Sequence, residues 1–175
     1  MKSFREIAPS QLGNAMEMVG KQWMLITAKD EKNGRVNAMT ASWGCMGVLW
    51  NLPVCVLFIR PQRHTCPLAE EADRLSLAFL GEEHREALRI CGRESGRDMD
   101  KLARCGLHTV QLDGVDAIEE AETVLIVKPL YVDTLKEASF LDPSLLKHYE
   151  GDYHRVFVCQ LEKAYQKNGK KDPTT

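Results

Sequence analysis

Apolar segments of strand length, separated by short turns, constrain the fold of this sequence most strongly. About six such segments occur, and only a few short helical patterns lie between them. This arrangement predicts a mainly β protein with short helices, folded as a closed or nearly closed antiparallel barrel. A doubly wound parallel sheet does not fit, because it needs a helix between most pairs of strands. The predicted strands are 22–30, 35–42, 53–61, 74–81, 123–135 and 153–165.

Turn and cap signals place the connections between these strands. Asn33 and Gly34 form a dipeptide that strongly favours a tight hairpin, so 22–30 and 35–42 are expected to pair. The residue pattern over 82–92 predicts a helix. Further helix starts are expected at Thr65, at Asp98 and at Asp142, which precedes Pro143.

Size and charge bound the class of protein. With 175 residues the chain is long enough for one domain and short for two, and we predict one domain over 1–165 with a flexible tail over 166–175. A net charge of -2 argues against a nucleic-acid or anionic-membrane binder. The first ten residues lack the apolar core of a secretory signal, and no apolar run approaches the roughly 20 residues of a membrane span. A cytoplasmic protein is predicted.

The six cysteines have no C-x-x-C spacing, and most lie inside apolar runs. This pattern predicts buried free thiols in a reducing compartment rather than a zinc site or disulfides. Cys45 and Cys91 lie in glycine-containing segments, and a redox role for either is left open.

Three segments place polar groups where a strand should end. In the first, NAMTASWG over 37–44, Thr40 and Ser42 would share one face of a strand, with Met39 and Ala41 on the other. Hydroxyls bordered by small residues allow a ligand to approach the backbone closely. The alternative is a half-exposed hairpin strand with ordinary surface hydroxyls.

The second and third segments carry positive charge. RPQRHT over 60–65 combines Arg60, Arg63 and Thr65 with a helix start, which suits an anion such as phosphate. Its alternative is a solvated turn whose arginines pair with the acidic residues at 70–73. CGRESGRDMDK over 91–101 supplies Arg97 and Lys101 for an anionic ligand, and its alternative is a solvated charged loop.

The sequence contains no nucleophile with a base and an orienting group at recognisable spacing, and no spacing typical of metal ligands. Tyr153 and His154 stand together before the last predicted strand, and their role is left open. Binding groups without acid–base groups suit an enzyme whose cofactor performs the chemistry, and they suit a ligand-binding module equally.

Four segments in order, NAMTASWG, PVCVLFIRPQRHT, SGRDMDK and GDYHRVFV, resemble the flavin reductase-like FMN-binding proteins, and within them the flavoredoxin group. The resemblance covers roughly residues 4–161. It implies a split β-barrel with Greek-key topology, normally a homodimer, that binds FMN non-covalently near the subunit interface.

The resemblance also implies site residues and an activity. The flavin ring would be lined by Asn37, Thr40, Ala41, Ser42 and Trp43; the ribityl chain and phosphate by Arg60, Pro61, Arg63, His64 and Thr65; and a second loop would add Ser95, Gly96 and Lys101. The implied activity is an oxidoreductase that passes electrons from NAD(P)H or a protein donor through FMN to a soluble acceptor. An FMN-binding electron carrier with no turnover of its own is the alternative, and a different phosphate-bearing ligand is a third reading.

Overall fold

A large antiparallel sheet forms the body of the molecule. The structure, a computed structural model, describes residues 3–169. Its strands are β1 Phe4–Ile7, β2 Met24–Asp30, β3 Arg35–Ala41, β4 Gly44–Leu49, β5 Leu52–Ile59, β6 Leu75–Phe79, β7 Thr109–Leu112, β8 Val115–Ile118, β9 Thr123–Thr134 and β10 Arg155–Lys167.

Short helices connect the strands. They are α1 Ala15–Glu17, α2 Thr65–Glu71, α3 Arg85–Arg93 and α4 Lys101–Cys105, with a π-helical turn at Met18–Gln22 and 3-10 turns at Pro9–Gln11, Glu82–His84, Glu137–Ser139 and Pro143–His148. The helix start at Asp142 is confirmed, since its carboxylate accepts a hydrogen bond from the Ser144 amide. The start expected at Asp98 is wrong: Asp100 caps α4 by accepting from the Ala103 amide at 3.1 Å.

The order of the strands explains how the sheet becomes a barrel. Hydrogen-bonded neighbours follow the order β3-β2-β6-β9-β10-β5-β4, and β1 also pairs with β10. The two edge strands, β3 and β4, are consecutive in the chain and are joined by Ser42 and Trp43. A two-residue link between opposite edges forces the sheet to curl until those edges lie close together. The result is a split β-barrel, and the β9–β10 hairpin inserted between β5 and β6 gives it a Greek-key order.

All six predicted strands are present, as β2, β3, β5, β6, β9 and β10. The predicted hairpin turn is confirmed, with Gly34 at φ 70°. β10 continues to Lys167, so Gln166 and Lys167 lie in the sheet rather than in the predicted tail. Residues 170–175 of that tail lie outside the described residues. The sequence reading missed β1, β4 and the β7–β8 hairpin.

Two apolar layers hold the barrel together and explain its sequence. Met24 and Ile26 of β2 point into the barrel, whereas Leu25 points outward into a second layer beneath α3. β6 is buried on both faces for the same reason. Strands buried on both faces read as continuous apolar runs, and each fully buried Leu contributes about 1.5–3 kcal/mol. The outer layer fixes α3 against β3, which positions the site described below.

Within residues 3–169, no helix has the length and apolar character needed to cross a membrane.

Candidate functional site

The end of β3 and the link to β4 form one side of the candidate site. Met39 and Ala41 pack into the barrel interior, while the hydroxyl of Thr40 points outward and donates to the carbonyl of Leu88 in α3 at 2.5 Å. β3 ends at Ala41, so Ser42 lies in the link rather than sharing a strand face with Thr40. Thr40 is therefore anchored to α3, whereas Ser42 lies outside the sheet.

A cavity of about 190 Å³ opens beside this link. Phe58 and Arg60, two residues apart at the end of β5, contribute one wall, as strand alternation requires. Together these elements supply a mostly uncharged surface with two arginines at its edge. The lining residues are Met39, Thr40, Ala41, Ser42, Trp43, Phe58, Arg60, Arg63 and His154.

Arg63 joins the start of α2 to the end of α3. Its guanidinium donates to the carbonyls of Gly92, at 2.5 Å, and Cys91, at 3.0 Å. These carbonyls belong to the last turn of α3, where a helix leaves its acceptors unpaired. Burial lowers the pKa of Arg63.

Lys101 brings a second cation to the same place. Its side chain is only 4% exposed, and Nζ lies 3.5 Å from the carbonyl of Cys91. Burial lowers the pKa of Lys101, and the neighbouring Arg63 charge acts in the same direction. In the part of the chain that the structure describes, neither Arg63 nor Lys101 forms an ion pair with a carboxylate. A half-buried and a buried cation that lack an ion-pair partner favour the binding of an anion.

A polar cradle adjoins these cations, formed by Asn37, His64, Thr65, Gly96 and Lys101. The side-chain amide of Asn37 donates to the hydroxyl of Thr65 at 2.7 Å. A Cβ at Gly96 would lie 2.0 Å from Asn37 Oδ1 and 3.2 Å from the ring of His64, so only glycine fits there. His64 Nδ1 is buried and has no hydrogen-bond partner within residues 3–169. The cradle thus presents an unsatisfied polar atom beside buried positive charge.

An aromatic wall closes the other side of the cavity. It comes from the β9–β10 connection, residues 135–154. The ring of Trp43 lies 5.1 Å from that of His154 and 5.8 Å from that of His148, measured between ring centroids. The hydroxyl of Tyr149 contacts His154 Nδ1 at 3.1 Å, and Tyr149 stacks on Tyr153 at 4.9 Å. Burial and the charge of Arg60 lower the pKa of His154 to about 4, so the imidazole is neutral at pH 7.

Arg60 fastens this connection to the end of β5. Its guanidinium donates to the Asp152 carboxylate and, at 2.8 Å, to the carbonyl of His148. Hydrogen bonds from the Glu150 amide, Gln62 and Arg60 hold the pKa of Asp152 well below its usual range. The acidic segment 70–73 is not the partner of Arg60 or Arg63; within it, Glu70 pairs with Arg155 at 2.6 Å.

Residues 16–175 match the family model described as the flavin reductase like domain. The chain belongs to the flavin reductase-like family. No curated protein sequence matches it. The match to the family model agrees with the order of segments noted in the sequence, and it extends to residue 175.

Solved structures of low sequence identity share the fold of this flavin reductase-like protein. An FMN-binding domain of a flavin reductases-like enzyme from Shewanella baltica OS155 has a TM-score of 0.69 and 15% identity, over 94% of this chain and 77% of that one. An FMN-binding protein from Thermus thermophilus, with bound p-hydroxybenzaldehyde, has a TM-score of 0.67 and 24% identity, over 97% and 83%. Flavoredoxin of Desulfovibrio vulgaris (Miyazaki F) has a TM-score of 0.66 and 17% identity, over 83% and 69%.

The flavin reductase-like fold brings most of the predicted site residues into two adjoining groups. Thr40, Ala41, Ser42, Trp43, Arg60 and Arg63 line the cavity, whereas Asn37, His64, Thr65, Gly96 and Lys101 form the cradle. Two predicted residues line neither: Pro61 is exposed in the turn after β5, and the hydroxyl of Ser95 accepts from the Arg97 amide at 3.2 Å.

The sequence reading missed Met39, Phe58, His148 and Tyr149 as site residues, and it left the role of His154 open. Strand alternation could have found Phe58, since it lies two positions before Arg60. His148 and Tyr149 carry no local signal, because they do not line the cavity themselves and only contact the lining residues Trp43 and His154.

Proposed function

We propose that this protein is an FMN-binding oxidoreductase of the flavin reductase type. The observation that carries this proposal is the convergence of half-buried Arg63 and buried Lys101 on the Cys91 carbonyl without a carboxylate partner within residues 3–169. A phosphate dianion would supply the missing negative charge. The unpartnered His64 Nδ1 and the close approach of Gly96 support a ligand in the cradle.

Each part of the site has a separate task in this proposal. Arg63 and Lys101, with the cradle residues, would hold the phosphate. Residues 40–43 would orient the ring at the open link, where small side chains allow close approach. Bound FMN supplies the redox chemistry, so the protein needs no general base of its own.

We infer a reductase rather than a carrier without turnover. A carrier needs no space for a second molecule beside its flavin. Here the cavity is bordered by Trp43 and by the neutral His154, which gives a second small molecule an apolar face and a polar group. Electrons would come from NAD(P)H or a protein donor and pass to a soluble acceptor.

Two measurements test this function. FMN and riboflavin are titrated into flavin-free protein with flavin fluorescence as the readout; we expect FMN to bind more tightly, because riboflavin lacks the phosphate. The loaded protein is then mixed with NADH or NADPH in an anaerobic stopped-flow instrument. Fast loss of flavin absorbance supports the reductase, and none supports the electron carrier. Absence of flavin binding overturns the whole proposal.

We further propose that the protein is a homodimer. Val48 and Trp50 at the tip of the β4–β5 hairpin are 78% and 56% exposed, and Leu49 between them is also exposed. Contiguous exposed apolar side chains of this kind mark protein interfaces. The mass in solution, measured by light scattering, should be twice the chain mass and should fall to one chain in Trp50→Ser.

A single domain that includes all of β10 to Lys167, and a cytoplasmic location, remain proposals. The continuous pairing of β10 with β1, β5 and β9 supports one domain. All six cysteines are free thiols, including Cys55 and Cys159, which are cross-strand neighbours. Most of the cysteines lie inside apolar runs of the sequence, as the free thiols of a reducing compartment do. Cys45 is exposed on β4, contrary to the expectation that it is buried.

A further inference from the structure

The β9–β10 connection is attached to the cavity by one strong ion pair. Arg60 at the end of β5 and Asp152 before β10 are 92 residues apart and bonded side chain to side chain. Arg60 also donates to the His148 carbonyl at 2.8 Å, and its guanidinium lies 5.3 Å from the centroid of the Tyr149 ring. One side chain therefore contacts this connection at three separate residues.

This ion pair differs from the solvated pairs on the rest of the surface. The side chains of Arg60 and Asp152 are 28% and 26% exposed, and Asp152 accepts further bonds from Gln62 at 2.9 Å and from the Glu150 amide at 3.0 Å. Exposed ion pairs contribute little because water screens them and their side chains are mobile. A pair with several additional hydrogen bonds fixes geometry much more strongly.

His154, two residues after Asp152, is the group whose geometry this pair fixes. The imidazole is 6% exposed and borders the cavity beside Trp43. Its Nδ1 contacts the Tyr149 hydroxyl at 3.1 Å, and within residues 3–169 its Nε2 has no hydrogen-bond partner. When the Tyr149 hydroxyl donates to Nδ1, the neutral ring carries its proton on Nε2.

We propose that Arg60 and Asp152 are positioning residues that hold His154 so that its Nε2–H donates a hydrogen bond to the substrate in the cavity. This inference rests on the proposed function, because it concerns the molecule that exchanges electrons with the flavin. The substrate it suits is a planar ring carrying an acceptor oxygen, with the ring beside Trp43 and the oxygen at His154. Arg60 then acts through the β9–β10 connection and not on the phosphate.

The first test measures the pKa of His154 by NMR in flavin-free protein. Asp152→Ala has two possible effects of opposite sign. If the pair positions His154, its loss exposes the ring and raises the pKa towards 6.5. If Asp152 acts through its charge alone, its removal lowers that pKa, since the carboxylate favours the protonated ring. A pKa that falls or stays unchanged overturns the proposal.

Glu70→Gln is the matched control for this measurement. It removes the ion pair between Glu70 and Arg155, which lies one residue from His154, and leaves Arg60 and Asp152 intact. We expect the pKa of His154 to stay near its wild-type value. A rise equal to that in Asp152→Ala would show that any lost ion pair near β10 has this effect, and would overturn the specific role of Arg60 and Asp152.

The second test uses FMN-loaded protein and NADH as the probe. Asp152→Ala should raise the KM for NADH about tenfold, the size of one lost hydrogen bond, with the affinity for FMN unchanged. The KM for NADH should be closer to the wild-type value in Arg60→Lys than in Arg60→Gln, because lysine keeps the ion pair with Asp152. If Arg60→Gln weakens FMN binding and spares riboflavin binding, Arg60 is a phosphate ligand and the positioning role is wrong. Failure of wild-type protein to bind FMN removes the proposed function and leaves the NMR result to stand by itself.

Discussion

The side-chain amide of Asn37 donates a hydrogen bond of 2.7 Å to the hydroxyl of Thr65, and the two residues are only 8% and 1% exposed. This bond connects β3 to the first turn of α2. Because Gly96 lies directly against the Asn37 amide, the loop before α4 is held at the same point. Three elements that are distant in the sequence therefore meet at one buried hydrogen bond.

Thr65→Val should destabilise the protein by about 1–3 kcal/mol, because it keeps the side-chain shape and leaves the buried Asn37 amide without its acceptor. Urea unfolding followed by circular dichroism measures the change. Thr65→Ser retains the hydroxyl and should lose clearly less. Equal stability of the Val variant and wild type would mean that this bond does not hold the cradle.

Gly96→Ala should cost about 1–3 kcal/mol of stability and weaken FMN binding, because the new methyl group would overlap the Asn37 amide. Gly47→Ala is the control, since a Cβ at Gly47 meets no atom within 4 Å. Thermal unfolding and FMN titration of both variants provide the comparison. Two variants with the same small effect would contradict the close packing of Gly96.

Lys101→Met should weaken FMN binding by about ten- to a hundredfold, because the phosphate loses a charge-assisted hydrogen bond in a buried place. The affinity for riboflavin should not change. Lys21→Met removes an equal charge from an exposed ion pair with Glu17 and serves as the control. If Lys101→Met weakens both flavins equally, Lys101 supports the fold of the site and does not bind the phosphate.

His154 and His108 should affect stability with opposite pH dependence. The pKa of His154 is lowered from 6.5 to about 4, so the unfolded chain takes up a proton first, and stability falls as the pH drops through that interval. Its slope is at most about 1.4 kcal/mol per pH unit. The pKa of His108 is raised by its bond to Glu120, so its contribution is present below 6.5 and is lost as the pH rises through the higher value.

Urea unfolding across these pH ranges tests both signs. His154→Gln should reduce the loss of stability that occurs as the pH falls below 6.5. His108→Gln should reduce the gain in stability that occurs as the pH falls to 6.5. The same slope in wild type and His154→Gln would show that this imidazole is not buried in its neutral form.

Local patterns were sufficient for the parts of the fold whose causes are local. Asn33 and Gly34 determine a hairpin turn through their own backbone preferences, and they predicted it correctly. Asp113 and Gly114 carry the same signal, with φ values of 53° and 76°, so the missed β7–β8 hairpin was readable from the sequence. β4 could not be predicted in this way, because its sequence, GCMGVL, contains no alternation of polar and apolar residues.

The candidate site also contains contacts between residues distant in the sequence, which local patterns do not predict. The segments 37–44 and 60–65 were recognised because several of their polar groups lie within a few residues of one another. The role of Arg60 was not recognised, because its partner Asp152 lies 92 residues away and only the folded barrel brings the two together. The same holds for Arg63, whose guanidinium serves the carboxyl end of α3 rather than acidic residues close in sequence.

Ser42 and Trp43 join the two edge strands of the barrel, β3 and β4, and this junction lies at the candidate site. A molecule bound beside this link would contact β3, the link itself and the end of β5 together. Its binding energy would then oppose the opening of the whole barrel, by an amount that grows with the logarithm of its concentration. Ligand binding and closure of the barrel would therefore be thermodynamically coupled in this chain.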